Sequence, residues 1–194
     1  MVTGMPELDI SRKTTALVVI DLQKGIAAQP TQPHSSAEVI RNAARLVTAF
    51  RKNVMPVFLV HVVSTPETML KIKSDETFSR TGPTPADWSE FIPEIAPGPA
   101  DIVIGKKQWG AFYGTDLELQ LRRRGMDTIV LCGIATDYGV ESTARFAYEF
   151  GFQQVFAENA MASRTAEQHY AAVNFILKRM GRVRSTDEIL AAIG

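Results

Sequence analysis

Residues Thr128–Arg145, TIVLCGIATDYGVESTAR, constrain this chain more than any other stretch. An apolar, β-branched run stops at Gly133, a tight loop follows, and a helix opens near Gly139. A strand that turns straight into a helix aims the helix N-terminus at whatever lies over the end of the sheet. Backbone N–H groups exposed there are suited to holding developing negative charge.

The rest of the chain repeats the strand–helix alternation. Thr15–Ile20 (TALVVI), Met55–Val63 (MPVFLVHVV), Asp101–Gly105 (DIVIG) and Thr128–Cys132 read as buried parallel strands. Gln154–Ala157 reads as a fifth, shorter strand and Val183–Ser185 as a last edge strand. Between them, Ser36–Asn53 places Val39, Ile40, Ala43, Leu46, Val47 and Phe50 on one helical face, with Ser35 or Ser36 as N-cap. Further helices are predicted over Asp116–Arg124, Val140–Phe150, Thr165–Met180 and Thr186–Ile193, the first three each followed by a glycine. Thr65–Pro99, rich in Pro, Gly, Ser and charge, reads as a long excursion with a short helix near Trp88–Phe91. The alternation predicts a three-layer α/β/α sandwich, a Rossmann-like single domain over 1–194, around a mostly parallel sheet of about six strands.

Composition narrows the function classes. With 21 basic and 21 acidic residues, the chain carries no electrostatic footprint for nucleic acid or anionic lipid. No apolar run approaches a membrane span, and the N-terminal MVTGMPELDISRK lacks a signal-peptide core. One cysteine forms no internal disulfide and fits a reducing compartment, so the expected location is cytoplasmic.

Ligands of open parallel sheets bind beyond the carboxyl ends of the strands. Three such ends carry chemistry: Asp21 after the first strand, Lys106 after the third, and the Gly133–Gly139 loop after the fourth. Asp21 reads either as a turn or cap residue or as a partly desolvated carboxylate that needs a partner. Lys106 reads either as a solvated charge or as the cation that neutralises Asp21. Its neighbour Lys107 points the other way, so only one of the two faces the site. Gln23, Trp109 and Tyr138 flank the strand ends as candidate substrate-binding residues; Phe112 reads equally as a core residue. Cys132, the only thiol, lies inside the apolar strand rather than at the helix N-terminus. His34, His61 and His169 stand on three segments without zinc-like spacing, so no metal is expected. His61 reads as a strand residue at the pocket rim, His34 and His169 as surface residues. The glycines do not form a phosphate-binding motif.

IDLQ around Asp21, K-x-x-x-G-A-F at Lys106–Phe112, the continuation YGTDLELQLRRRG, and CGIATDYGVESTAR occur in one order. Together they resemble the motifs of the isochorismatase-like, or cysteine hydrolase, family from about Thr14 to the C-terminus. The resemblance implies an Asp–Lys–Cys triad for amide hydrolysis, with Asp21 and Lys106 as its first two members. It places the oxyanion-binding N–H groups at Ala135 and Gly139 and a non-proline cis peptide at Ile134–Ala135. At the nucleophile position, however, this chain has Gly139, which has no side chain and forms no acyl-enzyme.

True isochorismatases are similar to this chain in having glycine there. They cleave a vinyl ether by acid catalysis, with a protonated aspartate donating to the enolpyruvyl methylene carbon. The resemblance therefore implies a small-molecule hydrolase with an Asp–Lys site, no covalent cysteine and no cofactor. Two other readings stand beside it: a catalytically silent member that binds a metabolite or serves assembly, and a C–N amidase using Cys132. A homo-oligomer, dimer or tetramer, is expected from the family and from the aromatic residues Trp88 and Phe91 of the long excursion.

Overall fold

The computed structural model describes residues 8–65, 67–76 and 83–194. Six strands form one sheet: β1 (Thr15–Ile20), β2 (Val57–Val62), β3 (Ile102–Lys106), β4 (Thr128–Ile134), β5 (Gln153–Ala162) and β6 (Arg182–Arg184). Their order is β3-β2-β1-β4-β5-β6 and every pairing is parallel. The chain winds outward from β1 to one edge, then crosses back to build the other half. β1 and β4 are thus the point at which strand order reverses, where such sheets open a crevice.

Helices flank the sheet. α1 (Lys24–Ala27) is a single turn after β1, and α2 (Ser36–Lys52) starts where the Ser35 hydroxyl accepts the Glu38 amide. α2 buries Val39, Ala43, Leu46, Val47 and Phe50, the residues its three-and-four spacing selects. α3 (Leu117–Arg123) buries Leu117 and Leu121, while Leu119 is exposed. α4 (Glu141–Glu149) follows a wide helical turn over Thr136–Val140. α5 (Ala166–Ala171) continues through a second wide turn, Ala172–Leu177, into α6 (Lys178–Met180), and α7 (Thr186–Ile193) closes the chain. Right-handed crossovers in opposite winding directions put α2 on one face and α3 and α4 on the other. α7 packs against α2. All six residues of β1 and all seven of β4 are buried, as a sheet covered on both faces requires. No helix among the described residues is long and apolar enough to cross a membrane.

Three expectations change. No helix forms at Trp88–Phe91: these residues make turns, Gln23 bridges Phe91, and the short helical turn is Pro93–Ile95. Trp88 is half-buried because it packs where a Cβ on Gly25 would otherwise lie. The helix expected over Thr165–Met180 keeps its start at Thr165 but carries the wide turn in its middle. β5, expected to be short, is the longest strand at ten residues. Its apolar run is interrupted by Glu158 and Asn159, which hid the continuation. Here the pairing jumps from Leu131↔Phe156 to Gly133↔Met161, so one residue of β4 faces four of β5 in a bulge.

Candidate active site

Asp21 is the first residue past β1, in the left-handed region with φ 54°, and its amide donates to Val60 O at 2.9 Å. Lys106 is the last residue of β3 and sits opposite Val62 of β2. The lysine therefore reaches across β2 to Asp21, and Nζ lies 2.7 Å from Oδ2. Lys106 Nζ also donates to Trp109 O. Both residues are nearly dry, with 4% of Asp21 and 1% of Lys106 exposed. Lys107 is exposed.

β4 approaches β1 closely because Gly133 has φ +123° and no side chain; a Cβ there would fall 2.0 Å from Ile20 O. The Ile134–Ala135 peptide is cis. Ala135 then opens the wide turn, its carbonyl accepting the amides of Tyr138 and Val140. Gly139 follows directly over the ion pair. A Cβ built on it would lie 3.1 Å from Asp21 Oδ2 and 3.5 Å from Lys106 Nζ. Thr143 fixes this turn from behind, donating to Gly139 O at 2.7 Å and accepting the Ala111 amide at 3.0 Å.

Electrostatics set the carboxyl apart. Burial pushes the Asp21 pKa from 3.8 up to about 6, and the opposing pull of Lys106 does not cancel it. Oδ2 takes the lysine, while Oδ1 is buried with no hydrogen-bond partner.

The other sequence candidates divide. Trp109 and Tyr138 meet edge to face, ring centres 4.8 Å apart, beside the crevice. The Tyr138 hydroxyl is raised above its ordinary pKa by burial and by Asp137 and Glu76, and Arg164 pulls it back. Arg164 is therefore near the mouth, a placement no sequence motif reveals. Arg80, the other loop arginine that could serve an anionic substrate, lies outside the described residues. Gln23 is brought next to the site but its amide is engaged: Oε1 accepts Val62 N at 2.7 Å and Nε2 donates to Trp88 O at 3.1 Å. It clamps the 83–91 segment to β2. Phe112 packs against Phe150 and Phe152 in the core. Cys132 is fully buried in β4, and burial pushes its thiol up to about 12.

With this geometry in view, comparison with known proteins is decisive. The isochorismatase domain matches residues 15–188. The chain belongs to the isochorismatase family. It is 50% identical to the uncharacterized isochorismatase family protein YecD of Escherichia coli O157:H7, over 96% of this chain and all of that one. It is 49% identical to the uncharacterized isochorismatase family protein YwoC of Bacillus subtilis, over 97% and 99% of the two chains. An isochorismatase family protein from Burkholderia thailandensis superposes with a TM-score of 0.90 at 40% identity, covering 95% of this chain and 97% of that one.

Two of the three histidines depart from expectation. His61 is half-buried at the end of β2, as read from the sequence, with Nδ1 2.7 Å from Ser89 O and its ring stacked on Phe91. His169 is not a surface residue but fully buried, and His34 is only partly exposed. Both meet Glu158 of the β5 bulge, His34 Nε2 at 3.1 Å and His169 Nε2 at 3.0 Å from Oε1. His169 Nδ1 lies 2.9 Å from the hydroxyl of Thr136, three residues before Gly139. The sequence signal was the polar pair Glu158–Asn159 breaking an apolar strand, which marks a carboxylate needing partners.

Proposed function

We propose that this isochorismatase-family chain is a small-molecule hydrolase in which Asp21 acts as the acid and no covalent intermediate forms on the protein. The observation that carries the reading is the raised pKa of Asp21, about 6 beside a lysine 2.7 Å away. Roughly a tenth of such groups are protonated at pH 7, against about one in a thousand for an ordinary aspartate. The partnerless Oδ1 is the oxygen that carries the proton. Cys132 is buried in the core strand with a raised pKa, which argues against an amidase using it.

The substrate class that fits is an enol ether bearing a carboxylate. Asp21 gives its proton to the terminal methylene carbon, whose π pair forms the new C–H bond. The ether oxygen shares a lone pair with the resulting cation. Water adds through oxygen, its proton returns to Asp21, and the hemiketal collapses to a keto acid and an alcohol. Lys106 stabilises the aspartate while it is ionised, and the N–H groups of Ala135 and Gly139 are proposed to bind the reacting oxygen. Arg164, near Tyr138, supports an anionic substrate, and the Trp109–Tyr138 pair offers an aromatic wall.

A panel of enol-ether acids, amides and esters, assayed on wild type and Asp21→Asn, tests this. Keto-acid release by wild type, lost in the variant and insensitive to thiol alkylation, is expected. Activity retained in Asp21→Asn would overturn the mechanism. Binding of an enol-ether acid without turnover would make the protein a silent binder. A homo-oligomer is also proposed, because Phe146 and Tyr148 of α4, Phe150 at its C-cap and Phe175 of the Ala172–Leu177 turn are exposed. Light scattering that finds only monomer at micromolar concentration would refute it.

A further inference from the structure

The Glu158 cluster lies outside the catalytic pair and is assembled from three separate segments. The β5 bulge supplies Glu158, and α5 supplies His169. His34 arrives because Gln32 and Ser163 exchange two backbone hydrogen bonds of 2.9 Å, which pins residues 32–34 to the end of β5. The Thr31 hydroxyl holds the turn by donating to His34 O at 2.8 Å.

We propose that His34, Glu158 and His169 bind a divalent transition metal of the zinc class. Two imidazoles and one carboxylate are a donor set zinc accepts, with a fourth position left for water. The donor atoms all lie within 4.8 Å of one another. Both histidine Nε2 atoms are 3.0–3.1 Å from Glu158 Oε1. Tetrahedral zinc with bonds of about 2.0–2.1 Å sets its ligands about 3.3 Å apart, so each nitrogen–oxygen edge needs a shift of only a few tenths of an ångström.

The surroundings suit the ligands as well. To coordinate through Nε2, each ring must carry its proton on Nδ1, and each Nδ1 has a partner that accepts it. Glu38 Oε1 lies 3.2 Å from His34 Nδ1, and the Thr136 hydroxyl lies 2.9 Å from His169 Nδ1. A carboxylate or hydroxyl behind a ligating imidazole is what fixes its tautomer in metal sites. With neutral rings, Glu38 and Glu158 leave a local charge that a dication neutralises. His169 is sealed from solvent while His34 and Glu158 are partly open, which gives the ion a path in. Through Thr136, an ion here would also hold the start of the turn that carries Gly139.

Isothermal titration of untagged, chelator-stripped protein with zinc chloride tests the site, with metal counted by mass spectrometry after gel filtration. One zinc per chain is expected, together with a rise in melting temperature. His34→Gln and Glu158→Gln should each weaken binding at least tenfold, and Glu38→Gln about tenfold. His61→Gln, which alters the remaining histidine, should leave zinc affinity unchanged. His34 lies on a partly exposed loop, so its variant is expected to fold, and circular dichroism checks this. Absence of saturable binding by wild type, or equal binding by the His34 and Glu158 variants, would overturn the proposal.

Discussion

Asp21 and Glu158 flank the same loop, yet their surroundings drive them in opposite directions. Gly139 lies over Asp21, and Thr136 bonds the histidine that bonds Glu158. Asp21 is pushed up to about 6, because burial outweighs a single lysine. Glu158 is held below the ordinary glutamate range, because hydrogen bonds from His169 and His34 outweigh its partial burial. Depth alone therefore does not fix a carboxyl group's chemistry; the number of donors it receives does. A carboxyl with one orphaned oxygen retains a proton to give. One with two imidazoles on a single oxygen is locked as an anion, fit to anchor or to ligate.

The comparison breaks most visibly at Lys106. Lys106→Ala leaves Asp21 buried without its cation, and loss of one partner of a buried pair costs about 3–5 kcal/mol. Urea denaturation should report that loss; a change below about 1 kcal/mol would mean that water reaches the pair. The next effect is the pH slope. Asp21 has a higher pKa folded than its ordinary 3.8, so the folded state holds the extra proton between the two values. Stability therefore falls as pH rises from 4 to 7, by about 3 kcal/mol for this group. Asp21→Asn should remove that slope, visible as a stability difference that shifts toward the variant with rising pH. The proposed acid role also requires turnover to fall about tenfold per pH unit above 6.

Glu158 should slope the other way. Its folded pKa is lowered, so its contribution is complete above the ordinary 4.5 and is lost as pH falls through the folded value. Glu158→Gln is expected to cost about 1–2 kcal/mol near neutrality, less than the Lys106 change because the site is partly solvated. Parallel acid limbs for wild type and variant would contradict the assignment.

How far these two regions were legible in the sequence differs for a physical reason. Asp21 and Lys106 end apolar runs, TALVVI and DIVIG, whose strand periodicity locates the residue at each tip. The turn before α4 was legible too, since Gly133 and Gly139 bracket a sharp change from strand to helix. The Glu158 cluster was not. Its histidines come from a loop and a helix 135 residues apart in sequence, joined only by the Gln32–Ser163 bridge and the bulge in β5. Spacing rules for metal sites read neighbours along the chain, and no such rule sees a contact made by a bulge. Gln23 shows the converse: its position beside Asp21 was legible, but not that the backbone of β2 and Trp88 engages its amide.

The smallest expected effect sharpens the contrast, because thiols report directly on dryness and charge. Cys132 is fully buried in β4 with its pKa pushed up to about 12 by desolvation. Iodoacetamide should therefore label native protein slowly, and Cys132→Ala should cost only about 1 kcal/mol, as a small truncation in a packed strand. Any hydrolase activity should survive that change. A cysteine introduced at position 139 meets the opposite surroundings. Its Cβ would stand 3.5 Å from Lys106 Nζ; the Ile20 side-chain methyl at 2.8 Å has to give way, and Asp21 Oδ2 at 3.1 Å has to shift by a few tenths of an ångström. A cation at that range favours the thiolate. Gly139→Cys in the Cys132→Ala background should thus be alkylated much faster than Cys132 in wild type. Equal, slow rates at both positions would mean that the crevice over Asp21 is as closed as the core. Fast labelling of wild-type Cys132 with loss of activity would instead move the chemistry into β4.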